Sequence, residues 1–224
     1  MFFYKIFHWI IYFLFRKQVA EAKGLENLSK NDGFIIAANH ETAYDPPIIV
    51  AALRNFLRRY FNPRRKKIYF LGKPEMKYKI LRYGVATVLI DLLGEKIGYL
   101  PANHTGLTKA VELLKQGHIV VIFPEGHQNT KKQLLRGRRG ISVMALQSLK
   151  EVVPTGCFGS SARNLRQFLK YWKEKKRIVF GQGFCLTSSE NNATALNSAT
   201  LNEATNIIMR AIAKVSNKDY PFEH

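Results

Sequence analysis

The sequence predicts an α/β fold with a largely parallel central sheet flanked by helices, and an apolar helical segment at the N-terminus. Short runs rich in valine and isoleucine alternate with longer segments in which apolar residues recur at helical spacing, a pattern typical of parallel sheets covered on both faces. With 224 residues, 46% of them hydrophobic, the chain can bury one full core. We therefore expect a single α/β domain over residues 24–224, preceded by the N-terminal segment, residues 1–23.

The individual elements follow from periodicity and from residues that end helices. Residues 34–38 are a short apolar run, which is typical of a buried strand. Residues 46–61 place their apolar side chains on one helical face, with Pro46 and Pro47 in the first turn. Further strands are predicted at 66–73, which is β-rich, at 97–100, which is short, and at 118–123, 151–158 and 177–184. Further helices are predicted at 77–93, which is long enough despite its β-branched residues, at 106–117, which ends at a glycine, and at 138–149, 161–175 and 198–215.

The N-terminal segment is rich in aromatic residues and apolar almost all round a helix. Its unbroken apolar run, Trp9 to Phe15, has seven residues, whereas a membrane-spanning helix needs roughly 20. Arg16 and Lys17 follow directly, which argues against a secretory signal cleaved near Ala20-Glu21-Ala22. Aromatic rings flanked by cations suit the lipid headgroup boundary, so we expect a membrane-interface helix. An arm packed on the protein's own core is the alternative.

The chain is strongly basic. Lysine and arginine number 35 against 16 aspartates and glutamates, a net charge of +19, which indicates an anionic partner or surface. The basic residues cluster in segments 54–67, 131–139 and 163–177. A nucleic-acid-binding protein would explain the charge but not the apolar N-terminus, and no RNP-type, helix-turn-helix or zinc signature occurs. We therefore expect an anionic lipid surface as partner and no nucleic acid.

Two polar clusters follow predicted strands. Asn39 and His40 come directly after the strand at 34–38, and Asp45 lies five positions beyond His40. A carboxylate that accepts the proton of one imidazole nitrogen fixes the tautomer and leaves the other nitrogen as a base. The second cluster, Phe123-Pro124-Glu125-Gly126, brings a carboxylate and a flexible backbone to the same edge of the sheet.

Taken in order, these blocks resemble the glycerolipid acyltransferase family, whose commonest small bacterial form is 1-acyl-glycerol-3-phosphate acyltransferase. The resemblance covers roughly residues 24–159 and includes the stretches GKPEM, IGYLPANHTG and EVVPTG. It implies His40 as catalytic base and Asp45 as the catalytic residue that orients it. It also implies an acceptor pocket lined by Asn39, Lys73, His104, Phe123, Pro124, Glu125, Gly126, His127 and Arg139.

The same resemblance implies the reaction. A fatty acyl group would pass from an acyl thioester, acyl-CoA or acyl carrier protein, to the free hydroxyl of a lysophospholipid, most simply 1-acyl-glycerol-3-phosphate, giving phosphatidic acid. No metal and no cofactor are expected, because a thioester is already activated. We expect the enzyme at the cytoplasmic face of the inner (plasma) membrane.

The sequence departs from the family pattern at two places. His104 stands where the second block usually ends in arginine, and His127-Gln128-Asn129 replaces the usual Thr-Arg-Ser. Either the acceptor differs, or Lys73, Arg136, Arg138, Arg139 and protonated histidines bind its phosphate. An inactive membrane-surface protein with the same fold is a further alternative. His104, Glu125 and His127 could join His40 and Asp45 in a metal site, although no ligand pair has a metalloenzyme spacing. Cys157 and Cys185 are expected to be reduced core residues.

Overall fold

In the computed structural model of the protein, the described residues are 2–30, 32–42, 44–60, 66–72, 98–159, 175–186 and 197–222. The predicted helices at 77–93 and 161–175 lie outside this part of the chain, except for residue 175. Five helices are described: α1 (Phe2–Phe15), α2 (Asp45–Tyr60), α3 (His104–Lys115), α4 (Gly140–Ser148) and α5 (Ser198–Ser216). The predicted N-terminal helix and the four other predicted helices that fall within the described residues are confirmed, with ends shifted by a few residues.

Seven strands form one sheet in the described part of the chain. They are β1 (Val19–Lys23), β2 (Ile35–Ala38), β3 (Ile68–Gly72), β4 (Tyr99–Pro101), β5 (Ile119–Ile122), β6 (Val152–Phe158) and β7 (Lys176–Phe180). Their order in the sheet is β1-β7-β6-β2-β5-β3-β4. All neighbouring pairs are parallel except β6 and β7, which are antiparallel. The prediction of a largely parallel sheet is confirmed.

Both faces of the sheet are covered, because the side chains of β2 alternate between two apolar cores. Ile36 and Ala38 face the core that contains α2 and the end of α1. Ile35 and Ala37 face the other core, which α3, α4 and α5 cover. Every residue of β2 and β5 is buried, which explains why their sequences are apolar throughout instead of alternating. The central strands β2 and β5 therefore hold their carboxyl ends in a rigid position.

The N-terminal segment differs from its prediction at residues 19–23. Helix α1 ends at Phe15, and residues 19–23 are the edge strand β1, parallel to β7. The sequence Val-Ala-Glu-Ala-Lys has little β propensity, so pairing to β7 through backbone hydrogen bonds decides its conformation. The expected start of the α/β domain at residue 24 therefore misses one strand of the sheet.

Helix α1 packs on the protein with one face and exposes the other. The Tyr4 hydroxyl accepts a hydrogen bond from the Ile68 backbone N–H at 2.6 Å, and the Arg54 guanidinium lies 4.0 Å from the centroid of the Tyr12 ring. The opposite face exposes Ile6, Trp9, Ile10, Phe13 and Leu14, which we call the apolar stripe. Among the described residues, α1 and the other helices are all too short or too polar to span a bilayer.

The two cysteines are free and differ in environment. Cys157 is fully buried, where loss of hydration raises the pKa of its thiol well above the usual value. Cys185 is exposed, so the prediction that both are core residues is wrong for Cys185. The thiol of Cys157 is therefore held in its unreactive, protonated form.

Candidate active site

The carboxyl ends of β2 and β6 are joined by one buried amide. Asn39, the first residue after β2, donates from Nδ2 to the Cys157 carbonyl at 3.0 Å and accepts from the Cys157 N–H at 2.7 Å. Asn39 is completely buried, so both of its polar atoms need such partners. This pair of hydrogen bonds makes Asn39 a clamp between strands, and it determines where the next residue, His40, leaves the sheet.

His40 and Asp45 form the expected pair. The His40 Nδ1 lies 2.9 Å from the Asp45 Oδ2. An ionised carboxylate only accepts hydrogen bonds, so Nδ1 carries the ring proton and Nε2 has the free lone pair. The His40 side chain is 17% exposed and that of Asp45 only 4%. The histidine is therefore the member of the pair that a substrate can reach.

Asp45 is held by more than the histidine. Its Oδ2 also accepts from the N–H groups of Glu41 and Thr42, each at 2.8 Å, and its Oδ1 accepts from the Thr42 hydroxyl at 3.1 Å. Asp45 is the first residue of α2, where the helix dipole favours a negative charge. Thr42 was not singled out from sequence, although a threonine three residues before an aspartate at a helix start is a recognisable local capping pattern.

Glu125 is buried, and its carboxylate accepts hydrogen bonds from three other residues. Its Oε1 accepts from the His40 N–H at 3.2 Å, while its Oε2 accepts from Asn129 Nδ2 at 2.8 Å and from the Leu135 N–H at 2.9 Å. The residue is only 2% exposed. These donors already occupy both carboxylate oxygens. Glu125 therefore supports the backbone of His40 and the loop after β5, which sequence reasoning did not foresee.

The second polar cluster lies directly against the histidine. The Phe123 ring stacks on the His40 ring with centroids 4.2 Å apart. A turn follows, in which the Gly126 N–H donates to the Phe123 carbonyl and Gly126 adopts a φ of 68°, a conformation that favours glycine. A side-chain carbon at Gly126 would meet the Arg138 Nε at 2.3 Å. The Arg138 guanidinium therefore packs directly on this turn.

Arginine 138 also contacts His127. The Arg138 Nη2 lies 3.0 Å from the His127 Nε2, and the Arg138 N–H donates to the Pro124 carbonyl at 2.9 Å. Because arginine is a permanent donor, the His127 Nε2 accepts, and this ring nitrogen carries no proton. The side chains of His127 and Arg138 are exposed at this contact. They place a fixed positive charge beside the residues that follow β5.

Two predicted pocket residues lie elsewhere, and one is not described. Arg139 donates to Asn202 Oδ1 at 2.8 Å and to Ser198 Oγ at 3.1 Å, so its side chain is directed to α5. His104 is exposed at the start of α3, after edge strand β4, which β5 and β3 separate from β2. Three strand spacings amount to about 14 Å. Lys73 lies outside the described residues.

Among the described residues, no three histidine, cysteine, aspartate or glutamate side chains group as a metal site requires. The carboxylate oxygens of Asp45 and Glu125, which could bind a metal, instead accept hydrogen bonds within the site. What the arrangement offers is an oriented imidazole at the carboxyl ends of parallel strands, and an exposed guanidinium on the turn that follows Phe123. Such a site suits removal of a proton from a hydroxyl group of an anionic substrate.

The fold and the site together define an α/β enzyme with an oriented base at its sheet edge, and comparison with known proteins identifies its family. The family model described as Acyltransferase matches residues 19–157, more than half of the chain. The chain therefore belongs to the acyltransferase family, and the resemblance stated from the sequence motifs is confirmed.

One solved structure shares the fold over most of the chain. It is the crystal structure of the 1-acyl-sn-glycerophosphate (LPA) acyltransferase PlsC from Thermotoga maritima, with a TM-score of 0.56 and 18% sequence identity. The match covers 88% of this chain and 72% of that chain. No curated protein matches the chain.

The contacts of Glu125 predict the effect of Glu125→Gln on stability. One carboxylate oxygen becomes an NH₂ group that faces backbone or side-chain donors, so we expect the free energy of unfolding to fall by about 1–3 kcal/mol in urea titrations. Glu112→Gln, which changes an exposed carboxylate on α3, is the matched control and should stay within about 0.5 kcal/mol. A Glu125→Gln protein as stable as the wild type would show that the hydrogen bonds of this carboxylate do not stabilise the fold.

Proposed function

We propose that this acyltransferase moves a fatty acyl group from acyl-CoA or acyl carrier protein to the free hydroxyl of 1-acyl-glycerol-3-phosphate, giving phosphatidic acid. The observation that carries the proposal is the 2.9 Å contact between His40 Nδ1 and the buried Asp45 carboxylate. This contact leaves Nε2 as the base of the pair. A positioned base typically accelerates such a reaction by about 10²- to 10⁴-fold.

The proposed reaction is a direct transfer. The His40 Nε2 takes the proton of the acceptor hydroxyl as its oxygen attacks the thioester carbonyl carbon. The tetrahedral intermediate collapses by breaking the carbon–sulfur bond, and the imidazolium returns the proton to the departing sulfur. Asp45 stabilises the imidazolium while it exists, and the products are an ester and a free thiol.

Arg138 is the residue that we propose for the acceptor phosphate. It packs on the Gly126 turn and contacts His127, whereas Arg139 is directed to α5. A guanidinium can bind two phosphate oxygens at once and keeps its charge at every physiological pH. His127 orients the guanidinium from one side. Arg138 would thereby provide the charge that the family pattern usually places at the positions of His104 and Gln128.

The apolar stripe on α1 supports association with a membrane surface. Trp9 and Phe13 are 56% and 53% exposed and stack on each other with ring centroids 5.7 Å apart. Arg16 and Lys17, both exposed, follow the stripe and match an anionic leaflet. We infer that α1 lies in the plane of the membrane interface, with its other face on the protein. The proposed location is the cytoplasmic face of the inner membrane, where acyl thioesters are present.

The reaction is tested by thiol release. With palmitoyl-CoA and lysophosphatidate, the wild type should release coenzyme A only when the acceptor is present, and His40→Ala should lose at least about 100-fold of the rate. His118→Asn is the matched control, because His118 precedes β5 at the opposite end of the strands and the amide oxygen of asparagine takes the place of the ring Nδ1 that accepts from the Lys67 N–H. Equal rates in His40→Ala and the wild type would refute the general-base role.

The acceptor is tested by charge. Arg138→Met should raise KM for lysophosphatidate about 10- to 100-fold, the loss expected for a hydrogen bond to a charged group, and leave KM for an uncharged monoacylglycerol unchanged. Arg210→Met, which removes an exposed arginine from α5, is the control for net charge. If Arg138→Met affects both acceptors equally, the phosphate does not bind at this arginine.

The membrane contact is tested with vesicles. The partition coefficient for phosphatidylcholine–phosphatidylglycerol vesicles is measured by sedimentation. In the double variant Trp9→Ser, Phe13→Ser it should fall at least about 30-fold, because two large apolar side chains are no longer buried in lipid. Leu149→Ser is the control, since Leu149 is 72% exposed outside the stripe. Unchanged binding of the double variant would show that α1 does not face the lipid.

A further inference from the structure

Lys218, just beyond the end of α5, reaches the loop that carries His40. Its Nζ lies 3.1 Å from Glu41 Oε1, and it donates to the carbonyl oxygens of Asn129 at 3.3 Å and Lys131 at 2.9 Å. All three of its N–H donors therefore have acceptors. The side chain is only 7% exposed and that of Glu41 only 15%. This is a largely buried ion pair next to the catalytic histidine.

The contacts of Lys218 close a ring around the His40–Asp45 pair. On one side, Lys218 binds Glu41, whose N–H donates to the same Asp45 Oδ2 that contacts the histidine ring. On the other side, Lys218 binds the carbonyl of Asn129, whose N–H donates to the His40 carbonyl at 2.6 Å. One ammonium group thus binds both Glu41 and Asn129, and the backbone N–H group of each of these residues donates to the His40–Asp45 pair.

The backbone holds Lys218 firmly in this position. Asn217 ends α5 in the left-handed conformation, with a φ of 52°, and the Lys218 N–H donates back to Ala213. Asp219 then pairs with the loop after Asn129, donating to the Lys132 carbonyl and accepting from the Leu134 N–H. The family match ends at residue 157, so this lysine comes from a part of the chain that the family model does not cover.

Lys218 also balances charge. Burial raises the pKa of Glu41 and the nearby Asp45 charge raises it further, while the Lys218 hydrogen bond and charge lower it. Among the described residues, the ionisable groups around Glu41 and the His40–Asp45 pair are Asp45 itself at the start of α2, Glu125 after β5, Cys157 on β6, Lys176 on β7 and Lys218 after α5. Without Lys218, the carboxylates of Glu41 and Asp45 would lie together in a poorly hydrated site with less opposing charge.

We propose that Lys218 is a positioning residue for acyl transfer, which acts through Glu41 and Asn129 to hold the His40–Asp45 pair in place and to offset the negative charge beside it. This inference rests on the proposed role of His40 as the base. If Lys218 balances charge, removing the charge of Lys218 and removing the charge of Glu41 should shift the pH dependence of kcat/KM in opposite directions. A purely structural role does not predict opposite shifts.

The test is the pH dependence of kcat/KM for Lys218→Met, Glu41→Gln and the double variant. The acid limb of this profile, where kcat/KM falls as the pH is lowered, reports protonation of the base in the free enzyme. Lys218→Met leaves more negative charge beside the imidazole, so its acid limb should move to higher pH by about half a unit, and Glu41→Gln should move it to lower pH by a similar amount. The double variant should return near the wild-type limb. In Lys218→Met, kcat should fall at least about 10-fold, with KM for both substrates within about 3-fold of wild type.

Lys214→Met is the matched control, because Lys214 is an exposed lysine in the last turn of the same helix. It should leave both the limb and kcat unchanged. If the acid limb does not move in either single variant, the charge-balancing role is refuted. If Lys218→Met keeps the wild-type kcat, the positioning role is refuted. Circular dichroism shows whether Lys218→Met folds. If it does not fold, the acid limb of the kcat/KM profile of Glu41→Gln alone tests the charge-balancing role. The positioning role is then tested by the kcat of Lys218→Arg, which keeps the charge with a different shape.

Failure of the proposed reaction gives a different result. A wild-type protein without acyl transfer contradicts the proposed function but leaves the charge balance measurable, since the His40 ring can be titrated by NMR after assignment with His40→Ala. The midpoint should then move in opposite directions in Lys218→Met and Glu41→Gln. Identical midpoints in wild type and both variants would overturn the inference independently of activity.

Discussion

The buried carboxylate of Asp45 is the interaction on which the site depends. It begins α2, accepts two backbone N–H groups and one hydroxyl, and still has an oxygen within 2.9 Å of the histidine ring. A buried carboxylate is costly unless such donors surround it. The same hydrogen bonds that satisfy the charge therefore define the loop between β2 and α2, and they select one tautomer of His40.

A second buried carboxylate complements the first. Glu125 binds the backbone of His40 from the side of β5, so the histidine is held by an acid at the start of α2 and by an acid in the loop that follows the neighbouring strand. The position usually occupied by a serine in the family pattern holds Asn129, whose amide donates to Glu125. The departure from the pattern at this position thus has a structural function in this chain. The exposed positive charge near the turn comes instead from Arg138, further along the sequence.

The sheet and the contact between His40 and Asp45 were predictable because both depend on local patterns. Apolar runs bounded by turns identify buried strands such as β2 and β5, and a histidine five residues before an aspartate at a helix start brings the two side chains together within one loop. Strand β1 was not predictable, since its residues have no strong preference and its conformation depends on hydrogen bonds to the partner strand β7. The face of helix α1 that packs on the protein was equally hidden, because a helix apolar on all sides has no marked orientation.

The sequence by itself determined the fold class, the family and the pairing of His40 with Asp45, since these follow from short-range spacing and periodicity. Only the tertiary structure decided which of two adjacent arginines reaches the site: Arg138 packs on the Gly126 turn and Arg139 turns to α5. It also decided that the Glu125 carboxylate accepts hydrogen bonds from within the protein, and that Lys218 contacts Glu41, which lies 177 positions earlier in the chain. The physical reason is that neighbours distant in the chain meet only when the sheet order brings their strand ends and helix ends together.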